Sequence, residues 1–393
     1  MQHPQPYPPA PLPEIAELEG RIHRIRSEMV AASIDSIVLS DRRNIEYFTG
    51  YMTLSWSSDT RPILALLTAE DLIVFASRTE EANVSMRERP FRAVFYNGFL
   101  SQLVGALLGE AHTALRSDTA VIGVDFGDDM AGRGSLALLD GLKGNRQDSR
   151  IIEAADVIWN VRKIKSSFEA QMKSRSFEIA NFAFDRALSA ARLGMSEADL
   201  YRKIQSNIVL LGAEVVDPFP VIFGNGDFSY NRYPTTRRLN DGDYIWTDFR
   251  SKYGGYPADR NRVARGGNPE EWEFATYEKI RKLTLGIAQY IRPGMTGDDV
   301  YRYFEEMWEV EQLGEVYARA SRIGHGGGLS LTEPPSLMRG SAEVIGEGMI
   351  LHVEPKLEVQ GAVFQTEEAI YVGHDSNTFL TVLSPEELPA VRA

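Results

Sequence analysis

The chain has 393 residues, of which 43% are hydrophobic and 25% charged, a balance that predicts a globular protein of more than one domain. Its formal net charge of −13 argues against nucleic acid or an anionic membrane as the main partner, because both favour basic surfaces. The absence of cysteine excludes disulfides, thiolate metal sites and cysteine nucleophiles, and it is compatible with a cytoplasmic location.

The first part of the chain predicts a tail followed by an α/β domain. Residues 1–13 contain six prolines and lack the pattern of a secretory signal, which predicts a disordered tail. No apolar run approaches the ~20 residues of a membrane span. The pattern over residues 14–160 predicts an α/β domain, with helices over 14–32 and 103–115 and strands over 36–39, 63–67, 72–75 and 121–124.

A second domain is predicted over residues 161–393. Ser166 and Glu169 form a possible capping box for a helix that ends before Gly194. No internal repeat stands out. Helices that are segregated from an antiparallel sheet indicate an α+β class, with helices over 197–211, 270–291 and 297–310 and strands over 244–248, 349–354 and 362–371.

Two aspartates of this domain flank a turn. Asp248 and Asp259 are separated by ten residues that include Gly254 and Gly255, a pair typical of hairpins. On adjacent antiparallel strands the two carboxylates would face each other, and a bound cation is the usual compensation for such repulsion. Taken alone, both residues are better explained as solvated acids beside a turn.

Three later residues favour a metal site. His325, one of six histidines, lies in a glycine-rich run that lets the backbone approach a ligand but lacks the context of a dinucleotide site. Glu354 and Glu367 lie in otherwise apolar strands, where a buried carboxylate is costly unless it is paired or metal-bound. With the two aspartates they suit a pair of divalent ions such as Mn, Fe, Co or Zn.

The order and spacing of these residues resemble the pita-bread metallopeptidase family, which includes methionine aminopeptidase, aminopeptidase P, prolidase and creatinase. The resemblance covers residues 166–373 and, more weakly, 44–50. It implies a creatinase/prolidase-like N-terminal domain, then a pita-bread catalytic domain. It also implies two metal ions that activate a water. The implied metal ligands are Asp248, Asp259, His325, Glu354 and Glu367, with Glu354 and His325 catalytic and Arg262 near the substrate.

The chain departs from the family at positions where relatives usually carry substrate-binding histidines. These positions fall near Asn231, on Ser321 and on Thr332, and the usual arginine before the last glutamate is Gln365. The departures favour a relative that acts on a small non-peptide substrate, although Asn231 and Thr332 would still face the substrate.

His352 stands two residues before Glu354, so both side chains would point to the same face of a strand. One interpretation is a general acid/base or a substrate hydrogen-bond donor. The other is an imidazole that is hydrogen-bonded to a ligand carboxylate and orients it.

Aromatic side chains suggest the walls of a pocket. Trp56 belongs to an aromatic cluster in the N-terminal domain that ordinary core packing explains better when it is taken alone, and Tyr230 precedes the first metal strand. The resemblance implies that in dimeric relatives the first region covers the pocket of the partner, so a homodimer is expected. Such aromatics would enclose a small cationic or cyclic substrate.

The sequence therefore predicts a metal-dependent hydrolase that cleaves a C–N bond in a small molecule or dipeptide, nominally of the Xaa-Pro peptidase type, with manganese among the expected metals. The alternatives are elimination like that of dimethylsulfoniopropionate lyase and action on a small amidino or cyclic compound like that of creatinase or ectoine hydrolase. A non-enzymatic binding module is disfavoured because all five ligands are present.

Overall fold

The structure is a computed structural model that describes residues 5–57, 60–86, 88–115, 119–127, 135–145, 148–214, 217–316 and 321–392. The chain divides into an N-terminal unit, Leu12–Arg162, and a C-terminal unit, Lys163–Ala393 with the segment that ends at Pro11. The division lies two residues after the position 160 that the sequence predicted.

The N-terminal unit combines helices with one mixed sheet of strand order β4-β3-β2-β1-β5-β6. The β1–β2 and β2–β3 pairs are antiparallel and the other pairs are parallel. Its helices are α1 Ile15–Ala31, α2 Arg42–Thr49, α3 Glu81–Ser85, α4 Leu100–Ala114, α5 Leu136–Asn145 and α6 Ala155–Arg162. Its strands are β1 Ser36–Leu39, β2 Leu64–Thr68, β3 Leu72–Ser77, β4 Arg92–Tyr96, β5 Val121–Val124 and β6 Arg150–Glu153.

Burial explains which of these elements the sequence revealed. Every residue of β1, β2 and β3 is buried, so these strands read as continuous apolar runs and were predicted within two residues. Helix α2 was missed because it is short and polar. Its beginning is stabilised by Asp41, which accepts a hydrogen bond from the Arg43 amide, and it ends at Gly50, where φ is 61°.

The C-terminal unit contains two larger sheets and two small hairpins. The sheet orders are β19-β11-β8-β7 and β13-β12-β14-β17-β18, and the hairpins are β9–β10 and β15–β16. The helices are α7 Ser167–Ser189, α8 Glu197–Leu210, α9 Glu271–Tyr290 and α10 Gly297–Val310. The strands are β7 Val221–Gly224, β8 Tyr244–Phe249, β9 Lys252–Tyr253, β10 Tyr256–Pro257, β11 Arg260–Gly266, β12 Arg322–Gly326, β13 Glu333–Met338, β14 Ile350–Val353, β15 Lys356–Val359, β16 Ala362–Gln365, β17 Glu368–Tyr371, β18 Thr378–Phe379 and β19 Ala390–Val391.

Two hydrophobic clusters join the helices to the sheets. One contains buried residues of α7 and α8 together with residues of β7 and β8, such as Phe177, Ile204 and Phe223. The other contains residues of α9 and α10 together with β14, β16 and β17, such as Ile280, Phe304 and Phe364. Helices that cover an almost entirely antiparallel sheet system confirm the α+β class of this unit.

The unit contains a short repeated motif that was not predicted. Residues 192–202 read Arg-Leu-Gly-Met-Ser-Glu-Ala-Asp-Leu-Tyr-Arg, and residues 292–302 read Arg-Pro-Gly-Met-Thr-Gly-Asp-Asp-Val-Tyr-Arg. In both copies the glycine has a positive φ, 84° at Gly194 and 92° at Gly294, and the next helix is capped by Ser196 or Thr296. The repeat is a helix-start motif whose sequence signal is only a few residues long.

Two residues of the proline-rich tail, which the sequence predicted to be disordered, have hydrogen-bond partners in the structure. The amide of Tyr7 donates a hydrogen bond to the Leu211 carbonyl, and its hydroxyl donates to Glu178 at 2.5 Å. The hydroxyl of Tyr253 donates to the Pro8 carbonyl at 3.0 Å. The described part of the tail therefore has specific partners on the C-terminal unit, which proline content alone does not reveal.

The single strand predicted over 362–371 is two strands in different sheets. β16 pairs with β15, and β17 pairs with β14. Between them, the carboxylate of Glu367 accepts a hydrogen bond from the Asn261 amide at 2.6 Å, so the chain leaves the ladder there. Helix α7 also ends four residues earlier than predicted, because the chain turns to bring the Gly194 amide to the Leu239 carbonyl. Among the helices that the structure describes, none is both long and apolar enough to cross a membrane.

Candidate metal centre

The five predicted ligands lie on or beside strands of the two larger sheets of the C-terminal unit. Asp248 lies on β8, and Asp259 precedes β11, with which β8 is paired. His325 lies on β12, Glu354 follows β14, and Glu367 precedes β17, and these three strands are neighbours in one sheet. We call these five residues the acidic cluster.

His325 faces two of the carboxylates. Its Nε2 lies 3.7 Å from Asp259 Oδ2 and 3.5 Å from Glu354 Oε1. Its Nδ1 lies 2.8 Å from the Gly326 carbonyl oxygen, which can only accept, so Nδ1 carries the proton and Nε2 keeps its lone pair. Burial and then the charge of Arg322 lower the pKa of His325 to about 3. A neutral imidazole that is oriented through Nδ1 is the form that binds metals.

The carboxylates of the acidic cluster destabilise one another's charge. Burial, then Asp248 and Glu354, raise the pKa of Asp259 well above its usual value. Burial and Asp248 likewise raise the pKa of Glu354 to about 7. Buried Asp259 Oδ1 has no hydrogen-bond partner among the described residues, because Arg250 Nε, at 3.9 Å, is beyond hydrogen-bond range. A divalent cation would supply the charge that this oxygen lacks.

Among the described residues, two groups of three side chains could hold a metal ion, because the potential ligand atoms within each group lie within 4.8 Å of one another. One group is Asp248, Asp259 and Glu367, and the other is His325, His352 and Glu367. The side chains of Asp248 and Glu354 are 26% and 25% exposed, whereas those of Asp259 and His325 are 9% and 2% exposed. The acidic cluster therefore opens to solvent on the side of Asp248 and Glu354.

His352 lies on the closed side of the acidic cluster. Its Nδ1 is 2.6 Å from Glu367 Oε1, and its ring stacks on that of His325 with centroids 4.9 Å apart. Burial and then Lys173 hold the pKa of His352 well below its usual value, so the ring is neutral. A side chain at Gly327 would lie 2.6 Å from His352 Nε2, so a glycine is required there. This placement favours the interpretation in which His352 orients Glu367.

Glu368 follows Glu367 but belongs to a different set of contacts. Its Oε2 accepts a hydrogen bond from Arg260 Nη1 at 3.0 Å, and its Oε1 lies 3.6 Å from Arg262 Nη2. Ser384 donates to Oε1 from both its amide and its hydroxyl. Burial alone would raise the pKa of Glu368, but the two guanidinium groups and Ser384 lower it to about 2. We call Arg260, Arg262 and Glu368 the paired cluster.

Gln365, which replaces the arginine usual in relatives, connects the acidic cluster to an aromatic residue. Its Nε2 donates to Glu354 Oε2 at 3.2 Å and to the Glu354 carbonyl at 3.1 Å. Its Oε1 accepts a hydrogen bond from Trp246 Nε1 at 2.9 Å. Gln365 therefore fixes the orientation of Glu354.

The predicted substrate residues have different placements. The Tyr230 hydroxyl donates to Glu358 at 2.5 Å, and Thr332 accepts a hydrogen bond from Arg322. Asn231 is exposed in the loop between β7 and β8. Arg262 is buried, and its guanidinium contacts Glu368 and the Glu367 carbonyl, a role in positioning rather than in substrate contact. Trp56 is a residue of the N-terminal unit, where Arg42 lies over its ring, and the geometry of the acidic cluster does not test it.

Two buried lysines near the acidic cluster were not predicted. Lys173 of α7 donates to the Pro257 carbonyl at 2.6 Å, and burial lowers its pKa to about 8 despite the opposing charges of Asp259 and Glu333. Lys165 forms a buried ion pair with Glu333 at 3.0 Å. Lys173 lies three and four residues before Ser176 and Phe177 on the buried face of α7, a spacing that could have marked it as a buried cation.

The donor set fits divalent metal ions. Four clustered carboxylates, among them Asp259, Glu354 and Glu367 with raised pKa values, and an imidazole whose Nε2 faces them are the hard and borderline donors that Mn, Fe, Co and Zn accept. Asp248, Asp259, His325, Glu354 and Glu367 would hold the ions, and His352 and Gln365 orient two of these ligands.

Comparison with known proteins assigns both units. The model of metallopeptidase family M24 matches residues 172–374, and that of the creatinase/prolidase N-terminal domain matches residues 21–164. An uncharacterized peptidase of Bacillus subtilis, YqhT, is 24% identical over 94% of this chain and 99% of its own length. A Xaa-Pro dipeptidase of Pyrococcus furiosus is 22% identical over 87% of this chain and 91% of its own length.

Solved structures show the same fold. A Xaa-Pro dipeptidase from Bacillus anthracis superimposes with a TM-score of 0.82 at 21% identity, covering 95% of this chain and 100% of that one. An X-Pro aminopeptidase from Thermotoga maritima gives a TM-score of 0.79 at 20% identity, covering 94% of this chain and 99% of that one. The predicted succession of a creatinase/prolidase-like domain and a pita-bread domain is thereby confirmed.

Proposed function

Since the chain belongs to metallopeptidase family M24, we propose that it is a metal-dependent hydrolase that cleaves a C–N bond in a small substrate, with Xaa-Pro dipeptides as the first class to test. The observation that carries the proposal is the acidic cluster, in which His325 Nε2 lies 3.5 Å from Glu354 and 3.7 Å from Asp259. Two divalent ions, with manganese among the candidates, would act there as Lewis acids toward the scissile carbonyl and a water molecule.

Side chains in and beside the acidic cluster have different roles in the proposed reaction. Glu354 lies at the open side of the acidic cluster, where its carboxylate is placed to accept a proton from the water molecule. Gln365 holds Glu354 Oε2, which leaves Oε1 directed toward His325. The hydrogen bond between His352 Nδ1 and Glu367 Oε1 keeps that ligand in place on the closed side.

The test combines metal analysis with an assay. Elemental analysis of undialysed protein should find one to two equivalents of Mn, Fe, Co or Zn, and Asp248→Ala should lose them, because Asp248 contributes one of the clustered carboxylates. Metal-loaded wild type should release proline from alanylproline, and the variant should not. Protein that stays free of metal after incubation with these four ions would contradict the proposal.

A second candidate function is action on a small non-peptide substrate by elimination or by hydrolysis of an amidino or cyclic compound. The observation that favours it is the absence of the usual histidines and arginine, since Asn231, Thr332 and Gln365 occupy those positions and Gln365 is engaged with Glu354 and Trp246. A panel of betaines and guanidino compounds, assayed beside the dipeptide, separates the two candidates by which one is turned over.

We also propose a homodimer, on the resemblance to the family, and a cytoplasmic location, with which the absence of cysteine is compatible. Light scattering after size-exclusion chromatography gives the mass in solution. A mass that corresponds to one chain of 43.9 kDa would contradict the dimer, and with it the role of Trp56 at a partner's pocket.

A further inference from the structure

A lysine lies beside the open side of the acidic cluster. Lys356 follows Glu354 by two residues and is paired with Gln365 across the β15–β16 hairpin, so these two side chains share a face. Its Nζ lies 3.7 Å from the centroid of the Tyr230 ring and 4.8 Å from that of Trp246. These distances place the ammonium group in cation–π contact with both rings.

The two rings are themselves fixed. They meet edge to face with centroids 4.4 Å apart. The Tyr230 hydroxyl donates to Glu358, and Trp246 Nε1 donates to Gln365, which in turn donates to Glu354. The rings on which Lys356 packs are therefore held by the same hydrogen-bond network that orients Glu354, a predicted metal ligand. The position of Lys356 does not depend on a flexible surface side chain.

The charges around Lys356 indicate which kind of substrate group its ammonium group can bind. Lys356 lies opposite Gln365 on the hairpin, and Gln365 holds Glu354 Oε2, so the ammonium group lies beside the open side of the acidic cluster. Carboxylates that bind divalent ions have less charge left for the lysine. A desolvated cation next to such a centre favours an anionic group on the molecule that enters.

We propose that Lys356 is a specificity-determining residue that binds a carboxylate of the substrate close to the scissile C–N bond. This inference rests on the proposed function and narrows its substrate class to small molecules that carry a free carboxylate. It also disfavours an aromatic cage for a cationic group at this position, because the faces of Tyr230 and Trp246 already pack on Lys356.

The first experiment separates charge from packing at position 356. Lys356→Met keeps an unbranched chain over the rings, Lys356→Arg keeps the charge, and Lys282→Met removes an exposed lysine from helix α9 as a matched control. With alanylproline, Lys356→Met should raise KM about tenfold or more with little change in kcat, whereas Lys356→Arg should retain most of the affinity. With the C-terminal amide of alanylproline, KM should be high in wild type and unchanged by the variants.

A binding measurement keeps this inference separable from the proposed function. Isothermal titration of the metal-loaded protein with proline and with prolinamide requires no turnover. Wild type should bind proline at least about tenfold more tightly than prolinamide, and Lys356→Met should abolish that preference. Equal affinity for the two compounds in wild type, or a preference that survives in Lys356→Met, overturns the role of Lys356. Failure to hydrolyse alanylproline while the preference is present overturns only the peptidase assignment.

Discussion

Glu367 and Glu368 are consecutive in the chain, yet their carboxylates belong to clusters of opposite character. The acidic cluster around Glu367 concentrates negative charge, and burial together with Asp259 raises the pKa of Glu367 well above its usual value. The paired cluster around Glu368 balances charge, and two guanidinium groups and Ser384 bring the pKa of Glu368 to about 2 despite burial. The separation arises because the chain leaves β16 at Gln365 and begins β17 at Glu368.

The contrast shows how one fold supports both stability and function. In the paired cluster the carboxylate oxygens have donors within the chain, so the contacts stabilise the fold without a ligand. In the acidic cluster the repulsion is maintained, and Asp259 Oδ1 lacks a hydrogen-bond partner among the described residues. A cation that binds to the acidic cluster therefore stabilises the folded protein, as expected of a metal site.

The largest effect is expected when the paired cluster is broken. Glu368→Gln removes the charge opposite Arg260 and Arg262 inside the fold, and it should lower the free energy of unfolding by about 3–5 kcal/mol. Because the pKa of Glu368 is lower in the folded state than the 4.5 of a free glutamate side chain, this stabilisation is present above that pH and is lost as the pH falls toward about 2. Urea unfolding of chelator-treated wild type and variant measures both effects.

The control for this comparison is Glu387→Gln, which changes an exposed glutamate. It should leave the free energy of unfolding within about 0.5 kcal/mol of wild type. A loss of similar size in both variants, or none in Glu368→Gln, would show that the contacts of the paired cluster do not stabilise the fold.

Some of the residues in this contrast could be predicted from the sequence, and others could not. The five ligands were predicted from their order and spacing because a metal site leaves its chemistry in residue types. The structure of residues 366–368 was not predicted, because two adjacent glutamates in an apolar run indicate one strand with alternating faces. Only the tertiary contacts of Asn261 and Arg260 show the break between the two strands. Lys356 and Gln365 were also beyond prediction as a pair, since their proximity depends on hairpin register.

The acidic cluster should bind metal with a strong dependence on pH. Protons compete with metal for Glu354, whose pKa burial and Asp248 raise to about 7, and for Asp259 and Glu367, whose pKa values are raised as well. Affinity should therefore fall by at least about tenfold per pH unit from about pH 7 to about pH 5, since each displaced proton contributes one factor of ten. Competition with a chelating dye for Mn²⁺ measures the dissociation constant.

The matched variant for the pH measurement is Glu354→Gln, which removes one of the titrating ligands without a change of shape. Its affinity should be weaker at about pH 7 and should vary less steeply with pH, because one proton fewer is displaced. A dissociation constant for wild type that does not change over this range would mean that the carboxylates are ionised in the metal-free protein, contrary to the repulsion inferred for the acidic cluster.

The smallest expected effect is the most direct test of the repulsion among the carboxylates of the acidic cluster. Asp259→Asn replaces a carboxyl group whose ionisation the acidic cluster opposes with a neutral amide of almost the same shape. The metal-free variant should gain about 1–2 kcal/mol in free energy of unfolding, the size expected for relief of one close like-charge contact in a partly solvated site. The same measurement with Asp227→Asn, an exposed partner of Arg237, should show no gain.

The sign of this change distinguishes the two explanations of the acidic cluster. If the carboxylates were stabilised by neighbouring cations such as Lys173, as Glu368 is by its arginines, Asp259→Asn would lower the stability of the metal-free protein. If they are held together for a metal, the variant gains stability without metal and loses the stabilisation that Mn²⁺ gives to wild type. Opposite signs for Asp259→Asn and Glu368→Gln would therefore show that the chain uses similarly buried carboxylates for two different purposes.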